Sequence, residues 1–192
     1  MELDFQDHLE IGDMRAHDYF GDGSLFILDA PGHTIGHLCA LVRTSCSPDT
    51  FMLLGADAVH DAGELRPSLL LPFPDSIDLR CFLPPAVRAT ICPCHAFETF
   101  QEKRGRRPDQ PILESSSGYD LADVRKTIEK LQQAEVDDNV FFIFAHDRSI
   151  KGVVDFFPKD ANKWKSRDWA QKVRWAFLKE YWGALHLEEA DA

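Results

Sequence analysis

The stretch Pro31-Gly32-His33-Thr34-Ile35-Gly36-His37 joins two apolar runs and decides the course of the chain around it. The runs on either side, residues 24–30 and 37–43, have the length and composition of buried strands. Two glycines allow a tight turn between those strands and a close approach of the backbone to its neighbours. The turn therefore presents two imidazoles at a strand end, where rigid flanking structure can hold a metal ligand.

Further apolar runs extend the predicted sheet. Asp22-Gly23 is a hairpin signal, and alternating apolar positions over residues 1–17 indicate one or two short strands. Residues 50–55 form a third apolar run after a loop at 44–49, so the three runs predict an antiparallel meander. The run 140–144 is apolar throughout and predicts a strand buried on both faces.

Helices are predicted mainly in the second half of the chain. Residues 119–136 repeat apolar side chains at helical spacing, and Asp120 can cap this helix. A shorter helix is expected around 96–102, and residues 151–156 are predicted as a short strand. The tail 160–185 is predicted to be helical, with its tryptophans packed into a core.

A proline-rich excursion interrupts the regular elements. Residues 61–118 hold eight of the eleven prolines, a density that prevents long helices or strands. We interpret these residues as a structured excursion within one domain that covers residues 1–192, because 192 residues fit a single core. Such an excursion can form a wall or lid over a site.

Charge and cysteine content exclude several classes of protein. A net charge of −11 and a pI of about 5.1 argue against nucleic-acid and anionic membrane partners. The basic cluster 103–107 is short and is interpreted as a solvated loop. Five cysteines, an odd number without a preceding signal peptide, predict a reduced, cytoplasmic setting. Cys92-Pro93-Cys94-His95 lacks a second cysteine pair and is interpreted as a turn.

Each of three predicted strands is followed by a residue that can bind a metal. These residues are His33, Asp57 and His146. A lone histidine or aspartate at such a place is usually structural, but its repetition at three strand ends favours a joint site. Two imidazoles and one carboxylate form a set that suits zinc, iron or manganese.

The motifs resemble the metallo-β-lactamase superfamily, most closely the branch of acyl-homoserine lactonases and related fungal proteins. The stretches that carry the resemblance are Pro31–His37, Leu54-Gly-Ala-Asp57 and Phe144-Ala-His-Asp147, with support from Gly21-Asp-Gly-Ser24 and Arg66-Pro-Ser68. The resemblance implies a layered α/β fold, an αββα sandwich with a metal site at the edge between two sheets. This chain matches mainly the C-terminal half of that sandwich.

The resemblance also implies roles for single residues. His33 would bind one zinc ion, Asp57 would bridge two ions, and His146 would bind the second. His37 would lie behind the site without binding metal. His60 stands where lactonase-like members carry a tyrosine that contacts substrate, so Asp57 and His60 are the expected catalytic residues, although a plain surface histidine at position 60 is an equal alternative. The implied substrates are lactones, thioesters and esters, which metal-activated water would hydrolyse.

One part of the family pattern is missing. The His-x-His-x-Asp-His motif, expected ahead of the Pro-Gly-His turn, does not occur, since only His8 and His17 precede His33. We therefore expect an N-terminally incomplete domain that binds one zinc ion, or another divalent ion, weakly and has weak or no activity. A non-catalytic binding protein and a mononuclear hydrolase that uses His33, Asp57 and His146 are the alternatives. An uncovered sheet face would favour self-association.

The resemblance finally implies a substrate pocket in the excursion. Its apolar residues would favour an acyl or aromatic substrate. These residues are Leu65, Leu69, Leu70, Leu71 and Phe73.

Overall fold

The computed structural model describes residues 3, 5, 9–78, 92–181 and 183. Strands β1–β5 are Glu10–Ile11, Met14–Asp18, Leu25–Asp29, Leu38–Cys46 and Asp49–Leu54, followed by β6 (Ser76–Ile77), β7 (Cys92–Pro93) and β8 (Val140–Ile143). Among the described residues, six strands form one sheet in the order β1-β2-β3-β4-β5-β8, and β6 pairs with β7. All pairs are antiparallel except β5 with β8, which is parallel. The predicted antiparallel meander is confirmed.

Three α-helices lie in the described part of the chain. They are α1 (His95–Lys103), α2 (Leu121–Glu135) and α3 (Trp169–Arg174). The predicted cap is confirmed, because the Asp120 carboxylate accepts hydrogen bonds from the N–H groups of Ala122 and Asp123. Short 3₁₀ turns occur at Ala62–Glu64, Arg148–Ile150 and Ala176–Glu180. No described helix is long and apolar enough to cross a membrane.

The two faces of the sheet are covered by different parts of the chain. Helix α2 packs on one face, where Leu28, Leu41, Leu53 and Phe142 contribute to a large apolar core. Among the described residues, the C-terminal segment covers the opposite face near β5 and β8 and reaches β4, where the indole N–H of Trp164 donates to the hydroxyl of Thr44. There Trp164 and Trp169 pack with Met52 and Phe141. The predictions that β8 is buried on both faces and that these tryptophans are core residues are therefore confirmed.

The rest of that second face is half-exposed. Leu25 and Ile27 of β3 lie opposite Val42 and Ala40 of β4, and all four side chains point away from the α2 face. The next residue across the sheet from Ala40 is the exposed Leu54. The sheet therefore presents an apolar strip to solvent beside the covered region.

Three predicted elements differ from the structure. Strand β4 continues through Cys46, so the predicted loop 44–49 shortens to the tight Ser47–Pro48 turn. Residues 151–156 form a turn rather than a strand, and Asp155 there pairs with Lys159 and Arg167. The tail is not one helix from 160, because Asp168 has a left-handed φ of 57° that separates turns from α3. Trp182 and the end of the predicted tail helix lie outside the described residues.

The excursion 61–118 is structured over its described residues. It contains a 3₁₀ turn, β6, β7 and α1, which confirms the predicted helix around 96–102, while residues 79–91 lie outside the described part. The basic cluster is tied to the following loop, since the guanidinium groups of Arg104 and Arg106 donate to the carbonyls of Ile112 and Pro111. These arginines therefore hold the loop in place and do not form a free cationic patch.

Candidate metal centre

The loop 31–37 is held against the start of α2. The N–H of Tyr119 donates to the carbonyl of His33 across 2.9 Å, and the N–H of Asp120 donates to that of Gly32 across 3.0 Å. Gly32 has a φ of +130°, and a Cβ at this position would lie 2.3 Å from the backbone nitrogen of Val124. Only glycine allows this approach, so the loop that carries His33 has a fixed position on the helix.

Parallel pairing of β5 with β8 brings two further predicted residues together. Both strands end at the same edge of the sheet, where the N–H of Ala145 donates to the carbonyl of Ala56 across 2.9 Å. Ala56 has a positive φ of 46°, an uncommon value that turns the chain directly before Asp57. As a result, Nε2 of His146 lies 3.0 Å from Oδ1 of Asp57.

His60 is the third residue of the cluster. Ligand atoms of Asp57, His60 and His146 all lie within 4.8 Å of one another. The rings of His60 and His146 stack with centroids 5.3 Å apart. The His60 backbone is held in turn by Glu64, whose buried carboxylate accepts its N–H across 3.1 Å. The sequence predicted His60 as a catalytic residue near Asp57 and not as a metal donor.

His33 lies beside this cluster but outside it. The centroid of its ring is 4.8 Å from that of His60 and 5.5 Å from that of His37. Its Nδ1 atom is buried without a hydrogen-bond partner in the described part of the chain. Metal binding by His33, as the resemblance implies, stays a prediction.

His37 lies behind the cluster and contacts the turn that carries Asp57. The backbone N–H of Asp57 donates to Nε2 of His37 across 3.3 Å, so Nδ1 must hold the ring proton and donate to the carbonyl of Ala30, 3.2 Å away. Burial lowers the pKa of His37 below its ordinary value, which favours the neutral ring that this arrangement needs. His37 has no free nitrogen for a metal and instead positions Asp57.

The three clustered donors fit a divalent metal. A zinc ion about 2.1 Å from each donor would hold the donors about 3.4 Å apart in tetrahedral geometry, so small side-chain rotations would bring them into place. One carboxylate with imidazoles is a donor set that zinc and other divalent transition metals accept. The unpartnered Nδ1 of the neighbouring His33 also fits a site that is completed by a cation.

A cleft of about 570 Å³ opens next to the cluster. Its lining includes His60 and His146 of the cluster, together with Arg148, Lys151, Phe177 and Glu180. None of the five apolar residues expected to form the pocket lines this cleft: Leu65 is fully buried in the core, and Leu69 and Leu70 are 76% and 52% exposed. The cleft beside the cluster is therefore not the apolar pocket expected from the sequence, since charged residues contribute to its lining.

Comparison with known proteins identifies the family. Gamma-lactamase FDB1 from Fusarium pseudograminearum is 36% identical over 187 residues, which are 94% of this chain and 44% of that protein. Metallo-hydrolase mfmC from Annulohypoxylon moriforme is 38% identical over 191 residues, 96% of this chain and 48% of that protein. The chain belongs to the metallo-β-lactamase-like family. Its fold agrees, since a mixed α/β structure built on a six-stranded sheet is what a partial member of this family would have.

A third family member supports the assignment over a shorter region. Gamma-lactamase MBL2 from Gibberella moniliformis is 35% identical over 137 residues, which are 68% of this chain and 55% of that protein. The chain spans less than half the length of FDB1 and of mfmC. No protein-family model and no solved structure matches the chain.

Sequence reasoning missed one polar residue of the site. Asp147 is buried, and its Oδ1 accepts the N–H of Ser149 across 2.8 Å, which caps the turn 148–150. Its Oδ2 has no hydrogen-bond partner in the described part of the chain. An aspartate directly after a predicted ligand was the available signal, but its burial depends on packing that the sequence does not display.

Proposed function

We propose that this chain is a metal-dependent hydrolase of cyclic or activated carboxylic acid derivatives. Asp57, His60 and His146 would be the donors that hold one divalent ion, and zinc is the ion to test first. The observation that supports this proposal is the convergence of these three donors within 4.8 Å at one edge of the sheet. The family supports it from a second direction, because relatives carry the names gamma-lactamase and metallo-hydrolase.

The reaction would be the addition of water to a carbonyl. A bound divalent ion supplies Lewis-acid polarisation of the carbonyl and a lowered pKa for water. The water oxygen bonds to the acyl carbon and the bond from that carbon to the leaving oxygen or nitrogen breaks. One water proton ends on the leaving atom, and the other leaves the new carboxylic acid as it ionises.

Residues of this chain would provide the positions and the proton transfers. Asp57 and His60 are half-buried and His146 is exposed, and both histidines line the cleft, so a carbonyl that enters the cleft could reach the cluster. His33 would supply a further imidazole beside His60, either as the next donor or as the group that carries a proton to the leaving atom. His37 would act only by positioning Asp57, because both of its ring nitrogens are already bonded.

The substrate classes to test first are lactones and lactams. Purified protein loaded with zinc should open the ring of dihydrocoumarin, an aromatic lactone, and the change in ultraviolet absorbance should depend on added zinc. The variant His146→Ala should lower this activity by at least about a hundredfold, because one of the three proposed metal donors is lost. His95→Ala is the matched control, since His95 is exposed and lies outside the cluster. Equal activity in wild type and His146→Ala would refute the proposal.

Self-association through the apolar strip is a second candidate role. The half-exposed side chains of Leu25, Ile27 and Val42, with the exposed Leu54, form one continuous surface across three strands. A second copy offers the same surface, and a twofold contact between two such faces would bury both. Light scattering across a concentration series tests this role. We expect a dimer in wild type and a monomer in Ile27→Lys, and a monomer in wild type would refute it.

A further inference from the structure

The cleft beside the donor cluster has a cationic wall. Arg148 and Lys151 line the same cleft as His60 and His146. In the described part of the chain neither side chain forms an ion pair or a hydrogen bond, although the protein carries 32 acidic and 21 basic residues. By contrast, nearby Lys159 and Arg167 share Asp155. Two free cations therefore face a cleft in a strongly acidic protein.

Hydrogen bonds within one short turn hold the backbone that carries Arg148 and Lys151. The carboxylate of Asp147 accepts both the N–H and the hydroxyl of Ser149, which is almost fully buried. The N–H of Lys151 donates to the carbonyl of Arg148 across 3.3 Å, so both residues project from one short turn. A turn anchored in this way fixes the backbone positions of Arg148 and Lys151 relative to His146, which lies just ahead of it in the chain.

Three acidic residues, Asp61, Asp147 and Glu180, also line the cleft, and two of them accept hydrogen bonds from their own surroundings. Asp61 accepts the N–H of Gly63 across 2.7 Å and the hydroxyl of Tyr181 across 3.2 Å. Asp147 is engaged within its own turn, as described above. Glu180 lies in the lining but does not pair with Arg148 or Lys151. An anion that enters the cleft therefore meets the guanidinium of Arg148 and the ammonium of Lys151, neither of which is paired with a carboxylate among the described residues.

We propose that the substrate carries a second, non-reacting carboxylate, which Arg148 and Lys151 bind while the reacting carbonyl lies at the His60 and His146 end of the cleft. This inference rests on the proposed hydrolase function and names the substrate class of that site. Guanidinium and ammonium groups bind carboxylates through charge-assisted hydrogen bonds, which are stronger than neutral ones. The carboxylate sets the orientation of the substrate, and the carbonyl is thereby directed to the donor cluster.

Two esters that differ only at this position test the inference. Mono(4-nitrophenyl) glutarate carries a carboxylate where 4-nitrophenyl valerate carries a methyl group. In the zinc-loaded protein we expect kcat/KM for the glutarate ester to exceed that for the valerate ester by at least about tenfold, which is about 1.4 kcal/mol of transition-state binding. The double variant Arg148→Ala/Lys151→Ala should abolish the preference by lowering kcat/KM for the glutarate ester at least about tenfold. Lys163→Ala is the control, because Lys163 is exposed and lies away from the cleft lining.

A binding measurement separates this inference from the hydrolase proposal. Calorimetric titration of the metal-free protein with glutarate should show binding that the double variant loses and that Lys163→Ala keeps. If neither ester is hydrolysed but glutarate binding depends on Arg148 and Lys151, the hydrolase function is wrong and the anion site stands. If both esters are hydrolysed equally in wild type and double variant, the anion site is wrong and the hydrolase function stands. Absence of both hydrolysis and glutarate binding would overturn both.

Discussion

The backbone N–H of Asp57 donates a hydrogen bond to Nε2 of His37 across 3.3 Å. This bond, together with the one from Nδ1 of His37 to the carbonyl of Ala30, links the two loops that carry the site. Because His37 itself is buried and neutral, it acts as a fixed spacer between the turn at 31–37 and the turn at Asp57. We therefore expect a division between the two histidines of the Pro-Gly-His turn: His37 supports the site, and metal binding by His33 stays a prediction.

Replacement of His37 by phenylalanine tests that division. His37→Phe keeps an aromatic ring but leaves the N–H of Asp57 unpaired, which should lower the free energy of unfolding by about 1–3 kcal/mol. The misplaced carboxylate should also weaken zinc binding in protein that is still folded, which a purely structural role would not do. Urea unfolding and zinc titration measure the two effects. His95→Phe at an exposed position is the control, and unchanged zinc affinity in His37→Phe would contradict the positioning role.

The two glycines of the same turn should differ in their tolerance of a methyl group. Gly32→Ala forces a Cβ to within 2.3 Å of the Val124 nitrogen at a φ of +130°, so it should cost at least about 3 kcal/mol of stability. Gly36→Ala meets no atom within 4 Å and carries only the strain of its left-handed backbone, about 1 kcal/mol. Chemical denaturation of both variants measures the difference. Equal losses would show that the loop does not pack on α2 as described.

A buried thiol should make stability fall at alkaline pH. Burial raises the pKa of Cys39 from 9.0 to about 12, and its Sγ donates to the carbonyl of Gly55. Above about pH 9 the unfolded thiol loses its proton while the folded one keeps it, so the unfolded state binds fewer protons and stability decreases as pH rises. Between pH 8 and 10.5 the free energy of unfolding should fall more steeply in wild type than in Cys39→Ala. The exposed Cys46 is the control, since Cys46→Ala should keep the wild-type slope.

The buried ion pair between Arg66 and Glu135 should be sensitive to removal of one partner. The two side chains are almost fully buried and in direct contact, although 69 positions separate them in sequence. Glu135→Leu should lower the free energy of unfolding by about 3–5 kcal/mol, because it leaves the guanidinium charge buried without its carboxylate. Arg66→Met/Glu135→Leu should recover part of that loss. An additive loss in the double variant would contradict direct coupling, and the exposed pair Asp123 and Lys126 offers a control.

The local features of this fold could be predicted from the sequence, and the features that depend on distant packing could not. The turn at 31–37, its flanking strands and the cap at Asp120 follow from neighbouring residues, and the structure has them. The tail was predicted as one helix because its apolar spacing suits one, yet the left-handed backbone at Asp168 interrupts it. Such a break is set by the packing of Trp164 and Trp169 on the sheet, which spacing does not reveal.

The candidate site likewise contains residues whose proximity the sequence predicted and a residue whose place depends on distant packing. Asp57 and His146 were predicted together because each follows an apolar strand, and parallel pairing of β5 and β8 brings them to one edge. His60 enters the cluster through a turn whose cap, Asp61, accepts a hydrogen bond from Tyr181, 120 positions away. No local pattern predicts that contact, so its part in the cluster became visible only in the structure.

Calorimetric titration of the metal-free protein with zinc tests the central claim most directly. Wild type should bind about one zinc ion per chain, and the single variants Asp57→Asn, His60→Ala and His146→Ala should each weaken binding by at least about tenfold. His95→Ala should bind like wild type, which would show that the effect is specific to the clustered residues. Zinc binding of equal affinity in wild type and in all three cluster variants would contradict the account.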